Sequence, residues 1–276
     1  MSLGARAKGF LDLCRPMNSV VAGVLTFIGA YVAGRPFATE ALIAAVVTVL
    51  ATAAGNAIND YFDRDIDAIN APERPIPRGA VSARSALAFS LGLFAVAVAL
   101  SALLPLFAIG IAAVNLVALL AYTTVFKGLP GAGNAVVAAL GGSTFLFGAA
   151  AVSRPFAGVV LAALAALSTF AREVVKDVED VEGDREEGLN TLPIAVGERP
   201  ALLVAAAVLA VAVLASPLPY LTGLFGVPYL VVVVPADAVM AYAAYLSFSD
   251  PTRAQGLLKY GMFLAAAAFV AGRAFA

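Results

Sequence analysis

Nine stretches of the chain are almost continuously apolar and near the roughly 20 residues that a helix needs to cross a bilayer. They cover 17–33, 40–59, 86–104, 106–124, 132–152, 155–171, 201–218, 224–248 and 256–275. In lipid, backbone N–H and C=O groups find partners only within helices or closed barrels, so runs of this length predict helices rather than open strands. The pattern predicts an all-α, multi-pass transmembrane bundle of nine helices formed by one membrane-embedded domain over 1–276. An eight-span bundle that drops one window in the last third is the alternative. Abundant Ala and Gly, as in Gly141-Gly142 and the alanine run 265–268, permit the close helix contacts of small-residue packing.

Composition strengthens this picture. Of 276 residues, 62% are hydrophobic and 13% charged, more apolar side chain than one water-soluble core hides. The first apolar run, preceded by Arg6, Lys8 and Arg15, superficially resembles a signal peptide. It is longer than a usual signal core and many similar segments follow, so it reads as a retained first span. The net charge of −1 and the scattering of charge into short clusters give no basis for nucleic-acid binding. With no histidine, imidazole metal and acid/base chemistry is excluded, and the single cysteine, Cys14, forms no disulfide within the chain. Any metal here takes oxygen ligands.

The charges are unevenly placed. With the N-terminus taken as cytosolic, 14 of the 17 basic residues fall in inside segments, leaving Arg35, Arg154 and Arg273 outside. The acids concentrate further: five lie between Asp60 and Glu73 and eight between Glu173 and Glu187, out of 18. Both clusters follow even-numbered spans, the second and the sixth, and so belong to one face of the membrane, the cytosolic one in this orientation.

Within those clusters one spacing occurs twice, 117 residues apart. Asp60, Asp63 and Asp67 repeat as Asp177, Asp180 and Asp184, each set preceded four residues earlier by an oxygen-bearing side chain, Asn56 or Glu173. At about 100° per residue, positions i, i+4, i+7 and i+11 share one stripe of a helix, so each set reads as a ladder of oxygen ligands. Carboxylates stacked on one face repel, and a charge at membrane depth costs roughly 2.5–3.5 kcal/mol on insertion scales. Such ladders call for bound cations. Mg²⁺ suits them, because it prefers oxygen, keeps several waters and is usually held by one or two carboxylates plus substrate phosphates. A pair of solvated acidic loops is the bland alternative, and the repeated spacing argues against it.

Basic residues are interleaved with the acids: Arg64, Arg74 and Arg78 follow the first set, Arg172, Lys176 and Arg185 surround the second, and Lys127 stands alone in the loop after the fourth span. With cations they would neutralise a diphosphate. For each alone, the competing role is to set topology, and Arg78, Arg84 and Arg199 are read that way. Asp237, inside the eighth apolar run after Pro235, is an intramembrane acid and so a functional candidate, touching the cavity or pairing with a nearby polar group.

Two longer strings carry a family resemblance. Asn59-Asp60-x-x-Asp63-x-x-x-Asp67 followed by Arg74-Pro75-Ile76-Pro77-Arg78-Gly79, and Lys176-Asp177-x-x-Asp180-x-x-x-Asp184-Arg185 followed by Thr191-Leu192-Pro193, resemble the two signatures of the UbiA superfamily of intramembrane prenyltransferases. Arg15-Pro16-Met17-Asn18, the stretch from Tyr122 to Lys127, and Gly133-Asn134 extend the resemblance over nearly the whole chain. The second signature is most similar to the archaeal digeranylgeranylglyceryl phosphate synthase branch, with chlorophyll synthases next.

The resemblance implies a nine-helix bundle with a central cavity opening toward lipid, and two Mg²⁺ ions binding a polyprenyl diphosphate. Asp60, Asp63, Asp67, Asp177, Asp180 and Asp184 are then ligands, directly or through water, with Asn56, Asn59 and Glu173 completing or orienting that shell. Lys127, Arg64, Arg74 and Lys176 are expected to stabilise the departing diphosphate, while Arg15 and Asn18 match positions near the acceptor pocket. Tyr61, Phe62, Tyr122 or Phe145 offer aromatic faces to an allylic cation, although an aromatic in an apolar bundle is more often packing. The implied reaction moves a polyprenyl group, geranylgeranyl by this branch, to a lipophilic acceptor such as geranylgeranylglyceryl phosphate in ether-lipid synthesis. Alternatives are an aromatic acceptor such as 4-hydroxybenzoate and, from another class, a cation or substrate transporter. Against transport, inverted-repeat transporters place their sites near the midplane in opposite topology, whereas these two motifs share one topology and one face. Protein partners and oligomeric state stay open.

Overall fold

The computed structural model describes residues 3–275, and the described residues contain helices and no strand. The chain runs α1 (Leu3–Cys14), α2 (Pro16–Val32), α3 (Thr39–Phe62), α4 (Arg64–Asn70), α5 (Ala83–Ser101), α6 (Leu106–Ala121), α7 (Ala132–Ala151), α8 (Val159–Glu179), α9 (Val181–Glu186), α10 (Leu192–Val196), α11 (Glu198–Ala215), α12 (Leu218–Leu221), α13 (Val227–Leu246) and α14 (Pro251–Ala274). A π-helical turn, Tyr122–Phe126, extends α6. Each of the nine apolar windows corresponds to one long helix: α2, α3, α5, α6, α7, α8, α11, α13 and α14. Among the described residues, eight helices are long and apolar enough to span alone, and the α1–α2 pair, bent by 46°, makes nine when counted as one span. The last third holds three such helices, so no window there drops out as the eight-span alternative requires.

The bend has a local cause. The ring of Pro16 disfavours helical backbone at the residue before it, and Arg15 takes a left-handed conformation, φ 44° and ψ 67°. The amphipathic α1 thereby swings aside at the motif end of the bundle, where Leu13 packs with Ala57, Val81 and Ala86. Close approach of α2 to α7 depends on two glycines. A Cβ on Gly148 would stand 1.8 Å from the Thr26 carbonyl oxygen, and one on Gly29 would stand 2.1 Å from that of Phe145. Gly142 meets α8 in the same manner, 2.3 Å from the Ala162 oxygen. Backbones this near gain dispersion contacts that larger side chains would forbid.

At the end of the bundle away from the motifs, Arg273 near the C-terminus and Arg154 after α7 both reach the turn at Gly34, and Arg154 Nη1 donates to the Ala33 carbonyl oxygen at 3.3 Å. The three basic residues left outside by the charge count thus belong to segments gathered at one end. The acidic motifs lie at the other, at the C-terminal ends of α3 and α8. A cavity inside the bundle is walled by α2, α7, α8, α11, α13 and α14.

Candidate active site

Each acidic motif is built where a long span ends and a short helix restarts. Asp60 sits in the last turn of α3, Asp63 is the joint, and Asp67 belongs to α4. In the second motif Asp177 is in α8, Asp180 is the joint, and Asp184 lies in α9. The continuous stripe expected of each motif is therefore interrupted at its middle carboxylate. Like charges stacked along one helix face repel, and restarting the helix puts Asp65 and Asp67, or Glu182 and Asp184, in a first turn, where the positive end of the helix dipole favours them.

Every aspartate of the two motifs has a polar partner. Asp60, 3% exposed, accepts from Arg15 Nη2 at 2.7 Å and has Arg74 Nη1 at 3.6 Å. Arg74 also donates to both oxygens of Asp67, at 2.8 and 2.7 Å. Burial works against the charge on Arg74, yet its bonds to Asp67 and the nearness of Asp60 and Asp63 hold its pKa above the ordinary value. Lys127 Nζ donates to Asp63 Oδ2 at 2.7 Å. In the second motif Asn134 Nδ2 donates to Asp177 at 2.7 Å, Lys176 pairs with Asp180 at 3.2 Å, and the Thr191 hydroxyl donates to Asp184 at 3.1 Å. Burial pushes the Asp184 carboxyl above the usual carboxylate range despite the Thr191 bond.

The two motifs face one another. Tyr122 lies near enough to Asp63 of the first motif, and to Glu173, Asp177 and Asp184 of the second, to feel the charge of each. Asn70, just past the first motif, donates to Glu187 beyond the second at 3.2 Å. A cleft of about 310 Å³ opens between them, lined by Asp63, Ile66, Thr123, Lys127, Glu187 and Leu189 among others. The π-turn shapes its wall: the Lys127 N–H reaches back five residues to the Tyr122 carbonyl oxygen at 2.9 Å. The extra residue in that turn goes with Thr123 donating to Asn59 Oδ1 at 2.6 Å and Lys127 reaching Asp63. The Asn190 N–H closes the cleft against the Gly128 carbonyl oxygen at 3.1 Å.

Other candidates have no hydrogen bond or ion pair to the six aspartates among the described residues. Asn56 donates to the Cys14 carbonyl oxygen at 3.1 Å, fixing the α1–α2 elbow. Arg64 covers the Tyr61 ring at 4.9 Å, donates to its carbonyl oxygen at 2.9 Å and pairs with the exposed Asp65. Asn18 is exposed on α2, and Glu173 pairs with Arg172 at 2.7 Å. Phe62 is exposed, and Phe145 packs edge-on against Phe269 deep in the bundle. Asp237 is far along α13. It accepts from Ser216 at 2.5 Å, and its other oxygen is buried with no partner among the described residues. Sequence reasoning left Asn134 and Thr123 out of the candidate set. A buried amide in an apolar span is the signal that points to Asn134.

The donor set suits a hard cation. It consists of carboxylate and amide oxygens whose present partners are ion pairs and single hydrogen bonds. Among the described residues no three acids converge closely enough to cage a metal by themselves. That fits Mg²⁺ held by one or two carboxylates and completed by water and substrate phosphate, rather than an ion locked in an all-protein cage.

Comparison with known proteins bears on these features. The model of the UbiA prenyltransferase family matches residues 21–267. A digeranylgeranylglyceryl phosphate synthase of Natronomonas pharaonis is 66% identical over 270 residues, covering 97% of this chain and 98% of that one. A solved structure described as giving insight into digeranylgeranylglyceryl phosphate synthase in membranes superposes with a TM-score of 0.84 at 34% identity, covering 97% and 98% of the two chains. A UbiA homologue from Archaeoglobus fulgidus bound to GPP and Mg²⁺ shares the fold, with a TM-score of 0.69 at 18% identity over 96% of this chain and 98% of that one. A family match over most of the length, with relatives this similar, means that this multi-pass membrane chain belongs to the UbiA prenyltransferase family.

Proposed function

We propose that this chain catalyses Mg²⁺-dependent transfer of a geranylgeranyl group from its diphosphate to geranylgeranylglyceryl phosphate, with the acidic cleft on the cytosolic side. The observation that carries the reading is the pair of facing aspartate motifs at one end of the bundle, each already furnished with cationic partners. The acceptor follows from the digeranylgeranylglyceryl phosphate synthases that match over nearly the full length at 66% and 62% identity. The orientation follows from the basic residues gathered at the motif end.

In this reading Asp60, Asp63, Asp67, Asp177, Asp180 and Asp184 would hold two Mg²⁺ ions, directly or through water, with Asn59 and Glu173 completing or orienting that shell. The ions supply Lewis-acid neutralisation of the diphosphate. Ion pairs such as Lys127–Asp63 and Arg74–Asp67 keep each basic side chain beside the cleft before substrate arrives. Exchanging a carboxylate partner for a phosphate oxygen costs them little reorganisation, so Lys127 and Arg74 are preorganised where charge develops as the C1–O bond breaks. Tyr122, close to acids of both motifs, would stabilise the allylic cation through its ring. An apolar bundle interior would keep water from that carbon, so the acceptor hydroxyl forms the new C–O bond as the diphosphate leaves, its proton passing to the released diphosphate.

The test is purified protein with labelled geranylgeranyl diphosphate, Mg²⁺ and a panel of acceptors. Label is expected in geranylgeranylglyceryl phosphate and absent from 4-hydroxybenzoate. Label in the aromatic acid alone overturns the acceptor assignment.

A further inference from the structure

Several basic residues at the motif end pair with none of the six aspartates, Arg64 and Arg78 among them, and in Arg172 this goes with a buried N–H left unmet. Arg172, in α8 one residue before Glu173, gives Nη1 to Glu173 Oε1 at 2.7 Å and Nη2 to Gln255 Oε1 of α14 at 2.9 Å. Its Nε–H is buried and has no hydrogen-bond partner among the described residues. A buried N–H on a cation is a strong unmet donor. Gln255 fixes the plane of the guanidinium without cancelling its charge, which a second acid would do.

The position matters as much as the missing partner. Ser168 and Thr169 line the cavity inside the bundle, and Arg172 follows them at i+4 and i+3, on the same face of α8. Met262 and Phe269 line the same cavity from α14, and Gln255 precedes Met262 by seven residues, again on one face. The Arg172–Gln255 pair therefore stands over the motif-side end of a cavity whose walls are mainly apolar, with Phe145 and Met240 also contributing. A guanidinium whose Nε–H is unmet, above an apolar chamber, suits an amphiphile with an anionic head. The cleft holding Asp63 and Lys127 is lined by none of these residues.

We propose that Arg172, oriented by Gln255, receives the phosphate of the acceptor lipid, apart from the diphosphate of the donor. The assignment rests on the reading above that the acceptor is a glyceryl phosphate lipid. Planar guanidinium recognises phosphate oxygens through directed N–H bonds, and the buried Nε–H is the donor a phosphate oxygen would satisfy. Arg172 acts on binding and on acceptor choice, and the donor's chemistry stays with the aspartates.

Steady-state kinetics with two acceptors, geranylgeranylglyceryl phosphate and its unphosphorylated alcohol, test this. Arg172→Gln is expected to raise KM for the phosphorylated acceptor by roughly 10- to 100-fold, the effect of one lost charged hydrogen bond. KM for geranylgeranyl diphosphate should stay within about twofold, and the preference for the phosphorylated acceptor should collapse. An unchanged acceptor preference, or an equal rise in both KM values, overturns the proposal. Should Arg172→Gln not accumulate as folded protein, Gln255→Leu carries the test: a selective rise of about threefold or more in acceptor KM supports it, and no rise overturns it. Wild-type protein that cannot use the phosphorylated acceptor takes the proposed function down as well, whereas active wild type with an indifferent Arg172→Gln variant refutes this inference alone.

Discussion

Replacing Lys127 with glutamine separates a catalytic role from a topological one. Lys127 Nζ lies 2.7 Å from Asp63 Oδ2, with the two side chains 32% and 24% exposed. A pair this accessible adds at most about 1 kcal/mol to folding, so the variant should remain folded and its melting temperature should move by only a few degrees. Kinetics should respond far more. A diphosphate bound to cations still presents oxygens away from them, and one charge-assisted bond from Lys127 is worth roughly 1.5–3 kcal/mol. If that bond strengthens as C1–O breaks, its loss lowers kcat/KM for the prenyl diphosphate by roughly 10- to 100-fold. The assay varies geranylgeranyl diphosphate at saturating acceptor and Mg²⁺, then varies the acceptor, whose KM should change little. Lys127→Arg should recover part of the rate. Wild-type diphosphate kinetics in Lys127→Gln would refute the reasoning and leave Lys127 as a topology residue, with the burden passing to Arg74 and Lys176.

Asp60→Asn and Asp184→Asn should each remove activity at limiting Mg²⁺ while folded protein is retained, checked by turnover beside size-exclusion profiles; near-wild-type turnover would strike that residue from the ligand set. Chelation with EDTA should abolish turnover and added Mg²⁺ restore it, and EDTA-resistant turnover would contradict the metal reading. In a Cys14→Ser background, cysteines placed at Asp65 and Glu182 should be labelled from the same side of the membrane, and labelling from opposite faces would break the parallel arrangement of the motifs. Gly148→Ala drives a Cβ to 1.8 Å from a backbone oxygen and should cost about 1–3 kcal/mol, read as a lowered melting temperature in detergent. Gly92→Ala, with nothing within 4 Å, should leave stability unchanged or slightly raised.

The spans were legible because lipid imposes one rule on every window, length with continuous apolarity, and each window became a helix. Their ends were less so: α3 runs on to Phe62, three residues past its window, because the polar face of Asn59 and Asp60 is used inside the bundle. The 46° elbow at Arg15 was encoded only in an Arg-Pro pair, whose effect depends on what the swung helix packs against. The repeated Asp spacing placed both acidic sets at one end, but periodicity alone extends a stripe through Asp63 and Asp180, where repulsion and the helix dipole interrupt it. Proximity in sequence also misled on direction: Arg64, beside three aspartates, turns to the Tyr61 ring, while Arg74 and Arg15 reach Asp60 from elsewhere. Arg172 and Gln255 are 83 residues apart, and no local pattern joins them.

The central claim is chemical transfer at the paired aspartates, and the most direct measurement is stoichiometry in proteoliposomes. Protein reconstituted with geranylgeranylglyceryl phosphate receives labelled geranylgeranyl diphosphate and Mg²⁺, and mass spectrometry follows product while released diphosphate is counted. The account predicts one diphosphate freed for each acceptor that gains a geranylgeranyl group, with both signals lost in EDTA and in Asp60→Asn. Label crossing the membrane with its diphosphate intact, and no acceptor modified, would contradict it.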